Sequence, residues 1–496
     1  MPVCLASHKA GLFSVSAVES TLGGEQQPQV PVPDQALPVK KNDILTLRAE
    51  DLTREGAGVC RADGYTVFVE GLLTGETARV RIVQTRKQYG FGRILEILEQ
   101  SADRVEPDCP YYPRCGGCTL RHFDYAKQLE TKSREVQQIL GRIGGIRLPE
   151  APPVIGLDEE ERICYRNKTQ YPVQQIDGKL TPGFYARRSH RLVPVEGCRI
   201  DSKEASRILP LITDYCREHG ITAYDEETGK GLLRHILIRT GDPGEILVCL
   251  VVNGNGLPDE PQMWEMLEKA GVRSFSINRN TERTNVILGR KTRVAGGREY
   301  IYASIGGMRY RISAGSFFQV NSVGVRKLYD KVLEFAALTG RETVWDAYCG
   351  IGTISLFLAK QAGRVYGAEI FPAAVEDARM NAADNGAGNV EFFLGKAEEI
   401  LPEMAGNPKY RPDVIVVDPP RAGCELPLLE TVAALRPSRF VYVSCDPGTL
   451  ARDLKYLTEN GMCLEKVCCV DMFCFTGGIE TVCLLTPDQQ ADGAGS

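Results

Sequence analysis

Residues 343–356, TVWDAYCGIGTISL, decide the fold. An apolar strand-like run leads into Gly350 and Gly352 and then into a helix-like run, which places both glycines in a strand-to-helix turn. Glycine there lets the backbone approach a ligand closely, and the helix that follows presents free N–H groups. Glu369 closes the next strand candidate, RVYGAE, 19 residues after Gly350. A carboxylate at that position can accept both hydroxyls of a ribose, so the spacing points to a nucleoside-containing cofactor.

Upstream of this turn a helix pattern follows Asn321, with apolar Val325, Leu328, Tyr329, Val332, Leu333 and Ala336, and stops at Gly340. Downstream come the strand candidates VEFFL, DVIVV, RFVYVS and TVCLL, most of them separated by helical segments. Apolar strands alternating with helices predict a doubly wound, largely parallel sheet, a Rossmann-like α/β domain over 311–486. Such sheets bind ligands at the carboxyl ends of their strands.

Three chemical groups fall at that edge. DVIVVDPPRAG delivers Asp418 followed by two prolines and Arg421, a rigid non-helical rim. RFVYVS ends at Cys445, just before a helix whose first residues include Pro447. Free N–H groups and the helix dipole are expected to favour its thiolate, which makes Cys445 the nucleophile candidate. DMFCFTGGIETV returns Glu480 to the same edge. Together they fit methylation of a pyrimidine at C5. Cys445 adds to C6, C5 of the resulting enolate attacks the methyl of S-adenosylmethionine, and Glu480 removes the C5 proton so that the thiol can leave. The base must be unstacked to meet a thiolate on its face.

A second constellation is Cys109, Cys115, Cys118 and Cys198, in CPYYPRCGGC and VEGCRI. Four thiols spaced C-x5-C-x2-C with a distant fourth suit zinc or an iron–sulfur cluster, and the spacing alone does not choose. The chain has 17 cysteines, an odd number, and no export signal, so reduced thiols are expected.

Length and composition frame these motifs. At 496 residues the chain calls for roughly three units. We read a flexible leader over 1–38, a small β-rich barrel of the OB type over 39–99, a central cysteine-bearing α+β domain over 100–310, the α/β domain over 311–486 and a disordered tail over 487–496. With 43% hydrophobic and 25% charged residues and no run of about 18 apolar ones, a soluble, cytoplasmic protein is expected, with no membrane partner. The net charge of −5 requires any nucleic-acid role to rest on local charge. Two basic islands supply it. Residues 79–93 hold Arg79, Arg81, Arg86, Lys87 and Arg93 and no acid, with Tyr89 and Phe91 between them, and 162–191 carry a net +6. Charge and rings together suit phosphate attraction and base stacking.

These motifs, with YRNKTQYPV, SFFQVNS and SCDPGTLARDL, resemble the RNA uracil-5-methyltransferases that use S-adenosylmethionine, and within them the branch acting on 23S rRNA. The resemblance spans about 39 to 486. It implies a TRAM barrel, a 4Fe-4S cluster on Cys109, Cys115, Cys118 and Cys198, and cofactor contacts from Gln319, Tyr348, Glu369 and Asp418. It also implies Cys445 as nucleophile, Glu480 as base and 23S rRNA as the partner of a monomer. The barrel and the four cysteines select rRNA over tRNA in this reading. The chain departs from the family at Asp446, where Asn is frequent, at Thr353, and at Cys474, Phe475 and Gly478. Two rivals are methylation of an exocyclic amino group through the DPPR rim and a cluster-bearing RNA-binding protein without turnover.

Overall fold

The computed structural model describes residues 38–488; the leader and tail expected at the termini lie outside it, apart from Pro38, Pro487 and Asp488. Five strands, Ile44–Leu52, Ala57–Ala62, Tyr65–Glu70, Tyr89–Glu99 and Thr77–Thr85 in spatial order, close into a barrel. Their inward residues, among them Leu47, Cys60, Val67, Val69, Val80 and Ile82, alternate with outward polar ones as a half-buried strand requires. The small barrel expected over 39–99 is present. Buried Glu76 fastens it to the next segment, accepting from Arg104 and from the backbone N–H groups of Leu73 and Ser101.

A seven-stranded sheet follows, in the order Lys291–Gly297, Ser274–Arg279, Ile246–Val252, Leu233–Thr240, Lys168–Ile176, Lys179–Tyr185 and Leu192–Pro194. The helices Lys203–Glu218 and Glu260–Lys269 cover it.

The third unit is an eight-stranded sheet in the order Val390–Leu394, Arg364–Glu369, Thr343–Ala347, Val414–Val417, Arg439–Ser444, Glu480–Pro487, Met462–Val470 and Val154–Ile155. The first five strands are parallel and Glu480–Pro487 runs against them. Successive strand residues serve opposite faces. Val344, Val365, Val416 and Val443 enter one core with the helix Ser322–Ala336, while Trp345, Tyr366, Ile415 and Tyr442 enter the other with the helix Pro447–Glu459. Burying each Val or Leu contributes about 1.5–3 kcal/mol, so a one-residue slip that exchanged the faces would be costly. The six strand candidates read from the sequence all form. Met462–Val470, Val154–Ile155 and the helix Tyr125–Gly144, which packs on Pro447–Glu459, were not assigned to this sheet in that reading.

Every described cysteine is unpaired. Cys60, Cys216, Cys249, Cys424, Cys469 and Cys483 are buried among apolar neighbours, the use expected of reduced thiols without other chemistry. Among the described residues no helix is long and apolar enough to cross a membrane.

Candidate active site

Strand order reverses between Thr343–Ala347 and its two neighbours, Arg364–Glu369 on one side and Val414–Val417 on the other. That switch point opens a crevice at the carboxyl edge. Gly350 has φ +55° and a Cβ there would meet nothing within 4 Å, whereas Gly352, at φ +81°, would drive a Cβ to 2.9 Å from Phe392. The turn is thus held tight on its inner side and open above. Glu369 accepts from the N–H of Gly350 at 3.0 Å and of Phe371 at 2.9 Å, which fixes its carboxylate beside the turn.

Tyr348, between strand and turn, sits at φ +69°, a region that a bulky residue occupies only when the surroundings impose it. Its hydroxyl is buried without a partner. Asp346, fully buried, accepts from Ser355 with one oxygen and has no partner for the other. Burial pushes its carboxyl up to about 7, helped by the charges of Asp418 and Glu369. The sequence reading missed Asp346, although an acid inside an otherwise apolar strand was its signal. A tight turn, a fixed carboxylate and two orphaned buried oxygens fit the polar groups of a nucleoside cofactor.

Gln319 lies on a bridge between units. Its carbonyl accepts from Asn167 Nδ2 at 2.9 Å, and Ser316 donates to Asp377 at 3.0 Å on the helix Pro372–Asp384. Thr353, one of the departures, has its hydroxyl engaged by Tyr329 at 2.9 Å.

Glu480 and Asp418 act on Cys445, and Asp418 on Glu480, with Arg421 opposing them at Cys445 and Glu480. The expected activation of the thiol by the helix terminus is overturned. Asp446 caps that helix with its own carboxylate, accepting from Gly448 at 2.9 Å and Thr449 at 3.2 Å, so those N–H groups are already used. Burial, then Glu480 and Asp418, push the Cys445 thiol up to about 12. Burial and Asp418 likewise raise Glu480.

The other departures lie against the cysteine segment. Phe475, at φ +64°, offers its carbonyl to the N–H groups of Thr119 and Leu120 at 2.8 and 2.9 Å, and Arg121 stacks 4.1 Å above its ring. Cys474 is buried beside the Tyr125 hydroxyl. The same hydroxyl donates to Asp471, which also pairs with buried Lys132 at 2.7 Å. An unpaired buried charge costs about 3–5 kcal/mol, so this network stays whole or the loop shifts. The loop that ends at Glu480 is thus clamped to residues 119–132.

Cys109, Cys115, Cys118 and Cys198 come together from two segments, Cys109 and Cys118 acting on Cys115, Cys109 on Cys118, and Cys118 on Cys198. Among the described residues no group of three or more His, Cys, Asp and Glu side chains is arranged to hold a metal ion.

The two basic islands meet at Arg188, whereas Lys168 of the second island is largely buried and its pKa falls to about 6. Arg188 lies 5.1 Å from the Phe91 ring, within a cluster of Phe68, Tyr89 and Phe91. Exposed Arg81 and Arg93 stand opposite each other on neighbouring strands, an arrangement that like charge disfavours unless a polyanion lies across it.

Comparison with known proteins agrees with this architecture. A family model described as tRNA (Uracil-5-)-methyltransferase matches residues 278–488, and one described as TRAM domain matches 38–95. An uncharacterized RNA methyltransferase of Halalkalibacterium halodurans is 49% identical over 454 residues, covering 91% of this chain and 98% of the relative. One from Clostridium acetobutylicum is 42% identical over 455 residues, covering 91% and 99%. The crystal structure of Pyrococcus abyssi tRNA (uracil-54, C5)-methyltransferase in complex with S-adenosyl-L-homocysteine superposes with a TM-score of 0.73 at 26% identity, covering 89% of this chain and 99% of its own. With a TRAM barrel ahead of a switch-point site, this chain belongs to the RNA uracil-5-methyltransferase family.

Proposed function

We propose that this chain, as a monomer, methylates C5 of a uridine in 23S rRNA, forming 5-methyluridine through a covalent bond between Cys445 and C6. The observation that carries the reading is the gathering of Cys445, Glu480 and Asp418 at the edge where Asp346 and Tyr348 leave polar atoms free for a nucleoside and Glu369 is fixed beside the glycine turn. Gln319, Tyr348, Glu369 and Asp418 would hold the cofactor, and the homocysteine-bound Pyrococcus structure supports its identity as S-adenosylmethionine. When bound, that cofactor supplies an electrophilic methyl group. Cys445 must lose its proton to solvent before it attacks, which leaves the Glu480 carboxylate free for the C5 proton. Glu480 then takes the proton from C5 and the thiol departs.

We assign Cys109, Cys115, Cys118 and Cys198 to a 4Fe-4S cluster, on the chemistry of four reduced thiols in one neighbourhood and on the family resemblance. Cys109, Cys115, Cys118 and Cys198 would hold such a cluster, which would supply a cross-link between their two segments. The proposed division of labour is RNA docking by the barrel at 39–99, cluster binding within 100–310 and transfer by 311–486. Protein purified without oxygen is expected to be brown and to carry about four iron atoms per chain, lost on Cys118→Ser. A colourless protein containing zinc would replace this assignment.

The Pyrococcus neighbour and the family model's own description favour a second reading, with tRNA as substrate. That neighbour covers too much of this chain for the barrel to be a mark of rRNA enzymes, so the choice of rRNA rests on the four cysteines. Mapping 5-methyluridine in 23S rRNA and tRNA from cells with and without the protein decides between them. Loss of the modification from 23S rRNA is expected. Loss from tRNA alone would reject the rRNA assignment.

A further inference from the structure

The barrel reaches into the transfer site. Its turn Thr53–Gly56 is stapled on itself, with the Thr53 N–H donating to Ala57 O and the Gly56 N–H to Thr53 O, both at 2.8 Å. From this rigid turn Arg54 sends three donors to three acceptors on the transferase unit. Nε donates to Gly477 O at 3.2 Å, one terminal nitrogen to Asp446 Oδ2 at 3.2 Å, and the other to Cys445 O at 3.0 Å. The approach is close enough to need glycine. A Cβ on Gly477 would stand 1.7 Å from Arg54 O, and one on Gly56, at φ +78°, 2.8 Å from Leu120. Asp446, where a neutral Asn would serve equally well as a helix cap, gives the guanidinium an ionic partner.

We propose that Arg54 is a positioning residue of methyl transfer, holding the Cys445 turn and the Glu480 loop at one spacing by bridging the Cys445 carbonyl, the Asp446 carboxylate and the Gly477 carbonyl. The proposal rests on the roles given above to Cys445 and Glu480. It makes the barrel part of the catalytic machinery and not only an RNA anchor, since the turn that carries Arg54 belongs to the same small barrel as the basic strands. Arg54 also opposes the rise in the Glu480 pKa that burial and Asp418 cause, alongside Arg421, with Cys445 close by; on the helix Tyr125–Gly144 half-buried Glu135 faces Arg54 as well, beside Glu55, Lys132 and Asp446. The planar fork matters as much as the charge. A lysine ammonium keeps the charge but cannot meet three acceptors in the guanidinium plane.

The test compares full-length wild type, Arg54→Lys and Arg54→Gln on 23S rRNA transcripts. The readouts are kcat and KM, the pH profile, and trapping of the adduct on 5-fluorouridine-containing RNA, which has no C5 proton to lose. Both variants are expected to lose kcat by about 10–100-fold, the scale of an ångström of misplacement, with KM for RNA changed by less than about threefold. S-adenosylmethionine binding, measured by calorimetry, should stay at the wild-type value and certifies the fold. Only Arg54→Gln should move the acid limb of the profile to higher pH, because a proton on Glu480 is then opposed by one cation fewer. If the glutamine variant does not fold, the lysine variant alone decides through kcat. Wild-type kcat in the variants, or a loss confined to KM, would overturn the role of Arg54. Wild-type protein that forms no adduct would instead remove the roles of Cys445 and Glu480, and this proposal with them.

Discussion

Cys445→Ala will stop methyl transfer to RNA, with kcat falling by about 10⁴-fold or more, while S-adenosylmethionine still binds. The nucleophile is the one group in the proposed reaction with no substitute. Uracil C5 is a poor nucleophile until a bond at C6 pushes electron density onto it. Binding survives because the cofactor edge, with Asp346, Tyr348 and Glu369, lies on strands other than the one that ends at Cys445. Labelled methyl transfer to 23S rRNA and calorimetric titration of the cofactor check both halves. The structure also bears on how the thiol is activated. Burial, Glu480 and Asp418 raise the Cys445 pKa, and Asp446 already satisfies the helix terminus, so the helix end does not activate the thiol. An alanine variant that transfers methyl at the wild-type rate would remove the covalent route.

Glu480→Gln will separate the two halves of the reaction. The glutamine can fill the same buried space but cannot accept the C5 proton, so the methylated adduct should accumulate while turnover drops by about 10²–10⁴-fold. A slowly migrating protein–RNA band on denaturing gels measures it. The wild-type pH dependence follows from the direction of the Glu480 shift. Burial raises its pKa, the carboxylate form is the active one, and activity should therefore rise with pH through that raised value and fall away below it. The glutamine variant should lose this limb. Absence of any adduct in the variant would remove Glu480 from the role of base.

Much of this site was legible because each element carries a local signal. GxG between an apolar strand and a helix, an acid at the end of the next strand, DPP and SC at later strand ends all place chemistry at one edge once the sheet is recognised. Arg54 carries no such signal. It is a single arginine in a barrel turn, and its partners lie nearly 400 residues away in the chain. The strand Met462–Val470 was missed because its middle, Leu464–Val467, is only partly buried and includes Glu465 and Lys466, which break the apolar run. The misreading of the thiol has a different cause. Asp446 is a good helix-capping residue by type, and its presence next to Cys445 means the terminus is satisfied before the thiol can use it. In sequence, Cys474 and Phe475 stand out only as departures from the family's pattern. In the structure they are contacts to the cysteine segment, which a linear motif comparison has no means of showing.

The central claim is that a C5–H bond is exchanged for a C5–methyl bond, and release of tritium from 23S rRNA carrying [5-³H]uridine measures it most directly. The account predicts about one tritium released per methyl incorporated by the wild-type protein, dependent on S-adenosylmethionine, and none from Glu480→Gln despite its adduct. Methyl incorporated into the RNA without tritium release would contradict it and point to transfer onto an exocyclic nitrogen.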